Sequence, residues 1–248
     1  MDIKDITPDQ IVFWEWGFVH LNLTIIATWA VMALMVLGAW LITRRLSSDL
    51  PLPRWENLLE ILVQGMENEI RQVSRQPPRP YIPFVGTLFL FILVSNILNV
   101  VPGYVAPTAS LSTTAGLAIC VFVAVPGYGI RSSGLKEYLK QYVKPTVIML
   151  PFNVMGELSR TLALAVRLFG NMMSGSKIVA ILLALTPILF PVVMNALGLL
   201  TGVIQAYIFA ILAMVYIASG TRARQEREQK QADSAGEKGE QDQWKESH

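Results

Sequence analysis

The chain has 248 residues, 53% of them hydrophobic and 15% charged, with a formal net charge of +2 and a mean hydropathy of +0.46. These values exclude a soluble domain of ordinary composition, give no sign of a nucleic-acid partner, and describe a polytopic membrane protein. The single cysteine, Cys120, rules out an internal disulfide, and His20 and His248 have no companions at ligand spacing, so neither a metal site nor a cofactor is expected.

Residues 1–20 carry Asp2, Asp5, Asp9 and Glu15 against Lys4, without the positive start or small-residue cleavage site of a signal peptide. Trp14, Trp16 and Phe18 stand just before an apolar run, where interfacial aromatics belong. That run, residues 21–43, is long enough to cross ~30 Å of hydrocarbon. It ends at Arg44-Arg45, which by the positive-inside rule is cytoplasmic and leaves residues 1–20 outside. Over residues 54–75 the apolar positions Leu58, Leu62, Met66 and Ile70 recur at helical spacing, with Glu56, Glu60, Glu67, Glu69 and Arg71 on other faces. The pattern predicts an amphipathic helix on the cytoplasmic surface, too charged to span. Pro77, Pro78, Pro80 and Pro83 end it and turn the chain back into the membrane.

A second span, residues 81–102, is uncharged and carries Ser95, Asn96 and Asn99 toward its end, which Pro102-Gly103 closes. A short outer connection leads to a third span, residues 111–130. Arg131, Lys136, Lys140 and Lys144 follow and mark a cytoplasmic loop.

From residue 147 to 218 the fully charged side chains are Glu157, Arg160, Arg167 and Lys177. An arginine at mid-bilayer costs ~2.5–3.5 kcal/mol on insertion scales, so Arg167 must face protein or water. At roughly 100° per residue, Asn153, Glu157, Arg160, Arg167, Asn171 and Ser174 fall on one stripe of an otherwise apolar helix. The stripe reads as the lining of an ion pathway, with Arg167 as its fixed charge. Glu157 lies ~15 Å from Arg167 along a straight helix, too far to pair with it. Glu157 and Arg160, three residues apart, can pair with each other or line the pathway, and Lys177 can snorkel to an interface. No proline interrupts residues 152–186, and a helix over residues 146–186 exceeds the membrane core and must be steeply inclined. Pro187 and Pro191 turn the chain into a last helix, residues 191–220, which carries Gly198 and Gly202 at a close-packing spacing, with Gln205 one turn further on. Residues 221–248 form a charged cytoplasmic tail, disordered or a solvated helix. The fold class is all-α: about five membrane helices, the last two long and steeply inclined as a hairpin, plus one amphipathic surface helix.

Arg167-Leu168-Phe169-Gly170-Asn171, preceded by Glu157-Leu158 and followed by Gln205-Ala206-Tyr207-Ile208-Phe209, resembles subunit a of the F-type ATP synthase membrane sector. Ser95-Asn96-Ile97-Leu98 and Pro107-Thr108-Ala109 are similar to the same family. The resemblance implies a non-catalytic stator subunit in the inner (plasma) membrane, partnered by a c-subunit ring and b-type peripheral stalk subunits. It implies that Arg167 faces the ring's carboxylates between two offset half-channels that carry H+ or Na+. Arg167, Gln205, Asn171, Glu157, Arg160, Lys177 and Ser176 are the expected ion-translocation residues, with Gln205 near Arg167 across the hairpin. Where many family members carry a Glu/His pair, this chain has Ser176 and Gly198, and Ser110 stands at an outer-side acidic position. Those departures, with Lys177, are similar to what is expected of the sodium-pumping N-ATPase branch. A self-contained secondary transporter or channel would need inverted repeats, which the sequence lacks. A membrane enzyme would need a nucleophile or metal constellation, and no glycine loop for ATP phosphates is present.

Overall fold

The computed structural model describes residues 12–16, 19–44, 54–74, 77–101, 104, 106–136, 138–139, 148–185 and 189–246, the last stretch beyond residue 221 as backbone. The acidic residues of 1–11, Phe18, Arg45, the Pro102-Gly103 turn, Lys140, Lys144 and the Pro187 turn lie outside the described residues.

Strand β1, Val12–Trp16, pairs antiparallel with β2, Val19–Asn22, with Trp14 opposite Leu21 and Trp16 opposite Val19. β1 is rich in β-branched and aromatic residues, yet at five and four residues both strands are too short to give a periodic signal in sequence. All remaining regular structure is helical among the described residues.

Helix α1, Leu23–Thr43, is apolar on every side. It buries Thr24 and Val31 and turns Trp29, Val36, Leu37 and Trp40 outward. Helix α2, Arg54–Ser74, is amphipathic: Ile70 and Ser74 are buried, while Gln64, Asn68, Arg71 and Gln72 are exposed. It packs against α3, Ile82–Leu98, which begins with Pro83 in its first turn, where the missing N–H is not needed. A 3-10 turn, Pro107–Ala109, is wholly buried and precedes α4, Leu111–Ser133. Helix α4 runs through Pro126 and stops at Gly134, whose φ of 83° ends the helix in the left-handed region.

Helix α5, Met149–Leu185, has 37 residues, a length of ~55 Å at 1.5 Å each. Helix α6 is longer still. It runs Leu189–Glu246 without a break at residue 220, so the charged tail continues the last helix rather than starting a new segment.

The packed centre is α3 against α6, with α4 wedged against α5 and α6. Ile92 of α3, Val121 of α4, Leu164 and Leu168 of α5, and Phe209, Ala213 and Ile217 of α6 are all almost fully buried there. Small residues on α6 let the neighbours close in. A Cβ on Gly202 would stand 2.9 Å from Asn96 Cβ of α3. Five turns further along α6, a Cβ on Gly129 of α4 would meet the Gly220 carbonyl oxygen at 3.1 Å. Gly198, by contrast, has open space where its side chain would be, so only one of the two paired glycines makes a close helix contact.

Three helical stretches are long and apolar enough to cross a membrane among the described residues: Thr24–Leu41, Leu111–Ser132 and Val192–Thr221. Ile82–Leu98 is equally apolar but shorter. Helix α5 falls outside that set because it carries the polar stripe.

Candidate functional site

Helix α5 has two adjoining faces. Leu164, Ala165, Leu168 and Met172 are buried against the rest of the bundle. Immediately beside them lie Glu157, Arg160, Arg167 and Asn171, displaced by less than about a third of a turn from the buried edge. The polar stripe therefore runs along the rim of the packed face.

Arg167 is exposed, and none of the described residues offers it a hydrogen bond or ion pair. Arg160, two turns earlier, lies over the Tyr216 ring of α6, 5.7 Å from its centroid, a cation–π contact that ties α5 to α6. Glu157 is half-buried, with its Oε1 shielded from solvent. Asn171 is half-buried, and its Nδ2 is buried with no hydrogen-bond acceptor among the described residues. Ser174 and Ser176 hydroxyls donate back to the Asn171 and Met172 carbonyls at 3.2 and 3.0 Å, so both are engaged with their own helix. Lys177 is half-buried one turn beyond Ser174.

Gln205 is only 6% exposed, and its Nε2 has no acceptor among the described residues. It makes no hydrogen bond with Arg167 among the described residues: Gln205 is buried in the bundle while Arg167 is exposed.

A second group of polar residues, quoted in the sequence only for family likeness, is drawn together by the fold. Asn96 Nδ2 donates to the Gly202 carbonyl at 2.9 Å, and Thr108 Oγ1 donates to Asn96 Oδ1 at 2.9 Å. One side chain of α3 thus joins the 3-10 turn to α6. The Asn96 amide accepts and donates at once, and the glycine is needed because its Cβ would collide with Asn96. Ser95, Ser110 and Thr114 are fully buried nearby in sequence; Thr114 Oγ1 donates to the Ser110 carbonyl at 3.1 Å, whereas Ser95 Oγ has no partner. Tyr104, between α3 and the 3-10 turn, has a buried hydroxyl whose pKa burial pushes up to about 12, so it stays protonated at any working pH. The signal for this group was available as polar residues clustered in an apolar stretch, but their joining is a tertiary fact.

The chain is thus a multi-pass helical membrane protein in which buried, neutral hydrogen-bonding groups lie beside an exposed guanidinium, Arg167, that has no ion partner among the described residues. Comparison with known proteins gives this architecture a family. The ATP synthase A chain family matches residues 25–218. The chain is 60% identical to the ATP synthase subunit a of Albidiferax ferrireducens over 88% of its length and 95% of the relative's. It is 57% identical to ATP synthase subunit a 2 of Acaryochloris marina over 89% and 94%, and 59% identical to ATP synthase subunit a 1 of Chlorobaculum parvum over 89% and 97%. The chain belongs to the ATP synthase subunit a family, a non-catalytic membrane-sector component of the ATP synthase complex.

Proposed function

We propose that this chain is the stator of the membrane sector, carrying ions between two half-channels past a rotating ring of c subunits, with Arg167 as the fixed charge. The observation that carries the reading is that Arg167 projects from the bundle with no ion partner among the described residues. A guanidinium left without a carboxylate of its own chain requires one from outside, because its cost in the membrane is not otherwise offset. It cannot lose its proton at working pH. An arriving ring carboxylate is therefore favoured in its ionised, empty form and releases its ion beside Arg167. The same positive charge blocks a direct cation leak from one half-channel to the other.

The outer half-channel runs, on this reading, along the buried neutral groups Thr108, Asn96 and Ser95 toward Gln205, which is one turn from the glycine that accepts the Asn96 hydrogen bond. The unpaired amide nitrogens of Gln205 and Asn171 supply donors for a passing hydrated ion or ring carboxylate. Glu157 and Arg160 stand on the opposite side of Arg167, toward the cytoplasmic half-channel. Ser176 and Lys177 lie on the outer side. The orientation follows from the positive-inside argument: N-terminus outside and C-terminus cytoplasmic, in the inner (plasma) membrane, with b-type stalk subunits against the outward-turned faces. A path of neutral groups suits Na+ as well as H+. ATP-driven transport in vesicles carrying the whole complex, with and without sodium and in the presence of a protonophore, tests the reading. Sodium uptake that survives the protonophore marks Na+, and transport abolished by it marks H+. No ATP-driven transport of either ion by an assembled, ATP-hydrolysing complex would overturn the proposal.

A further inference from the structure

Two apolar spans, Leu111–Ser132 of α4 and Val192–Thr221 of α6, meet where they end. A Cβ on Gly129 would stand 3.1 Å from the Gly220 carbonyl oxygen, and one on Gly220 would stand 3.3 Å from the Val125 carbonyl oxygen. Tyr138, buried, covers Gly129 and closes this seam. Cationic residues gather just past it from segments far apart in sequence. Arg131 is in the last turn of α4 and Lys136 follows Gly134; both are exposed, and neither has an ion pair among the described residues. On α6, Gly220 marks the direction of α4. At roughly 100° per residue, Arg224 and Arg227 lie within about 40° of that direction, whereas Arg222 lies about 160° from it. Glu226 and Glu228 lie about 120° and 80° away from it.

Counting charges for the positive-inside rule weighs Arg222 and Arg224 alike. The helix register separates them, because only Arg224 continues the side of α6 that meets α4. Cations drawn to one seam repel one another unless an anion joins them, and a guanidinium fits the oxygens of a phosphate bidentately. Depth selects the source of that phosphate. Both apolar spans end at the seam, so the cluster belongs at headgroup level on that membrane surface, whichever side it faces. The turn after α4 adds a second requirement. Leu135 and Leu139, on either side of Lys136 in sequence, are 57% and 55% exposed. A soluble phosphate offers them nothing to touch, whereas a lipid brings acyl chains beneath its phosphate.

We propose that Arg131, Lys136, Arg224 and Arg227 hold the phosphate of one anionic phospholipid at the α4–α6 seam, with its acyl chains against Leu135 and Leu139. The purified ATP synthase complex containing this chain is incubated with equal amounts of phosphatidylglycerol and phosphatidylcholine bearing identical isotope-labelled chains, and retained lipid is read by native mass spectrometry. The wild type should keep the anionic lipid about tenfold over the choline lipid, since each cation near the surface contributes about fivefold. Arg224→Gln should lower that preference about fivefold, and Arg131→Gln combined with it should remove one anionic lipid per complex while the complex still assembles. Arg224→Lys and Arg222→Gln should both keep the wild-type preference. No preference in the wild type, or equal losses in Arg222→Gln and Arg224→Gln, overturns the proposal. So does displacement of the lipid by millimolar inorganic phosphate, which would mark a site for soluble anions. A cross-link from Leu135→Cys to another subunit overturns it as well, because protein would then cover the seam.

Discussion

At Arg167 the chemistry depends on a charge that cannot be switched off, and that gives the sharpest expectation at the scale of one side chain. Arg167→Ala should reduce ion-driven ATP synthesis to background in reconstituted vesicles while the complex still assembles; normal synthesis would remove the stator reading. Arg167→Lys should also lose most synthesis, because a buried ammonium can deprotonate and lacks the planar fork. Gln205→Leu should impair coupling less severely, since it removes a neutral donor and leaves the charge in place. Asn96 belongs to a different category. Asn96→Leu leaves the Thr108 hydroxyl buried without its acceptor, at about 1–3 kcal/mol, and removes a second bond from the Gly202 carbonyl, which its own helix still satisfies. A lowered thermal midpoint of the detergent-solubilised complex would register this, whatever the transport rate.

At the scale of helices, the two glycines four residues apart on α6 make opposite predictions. Gly202→Ala places a methyl 2.9 Å from the Asn96 Cβ, an atom fixed to the α3 backbone, and should destabilise by about 1–3 kcal/mol. Gly198→Ala meets nothing within 4 Å and replaces a poor helix former, so in the isolated subunit it should be neutral or stabilising by up to ~1 kcal/mol. Thermal unfolding of the two variants side by side separates them, and equal destabilisation would show that the α3–α6 contact does not depend on Gly202. The sequence presented these residues as equivalent because spacing alone places both on one face. Which of them touches a neighbour depends on where α3 crosses. The Gly129–Gly220 approach between α4 and α6 carried no comparable signal, since its two members lie on helices distant in sequence and share no motif. The Val12–Trp16 and Val19–Asn22 hairpin was equally illegible: short strands give no period to count.

For the molecule as a whole, the outward-turned apolar surface is what membership in a larger membrane assembly requires. Trp29, Val36 and Trp40 on α1, and Phe152, Met155 and Leu162 on α5, are all more than half exposed, which in a water-soluble protein would drive association. On α5 these side chains flank the stripe that carries Arg167, so this is the surface we assign to the ring. The helical membrane architecture, the length of α5 and its charged stripe were readable because apolar run length and helical period are local properties of the chain. So was the family, whose signature lies in contiguous residues around Arg167 and Gln205. Tertiary structure decided the rest: that Asn96 bridges Thr108 to Gly202, that Arg160 lies over Tyr216, that Gln205 is buried while Arg167 is exposed, and that α2 leaves a groove beside Tyr207. Each of those depends on the rotation and crossing of helices far apart in sequence, which hydrophobic periodicity leaves free and only mutual packing determines.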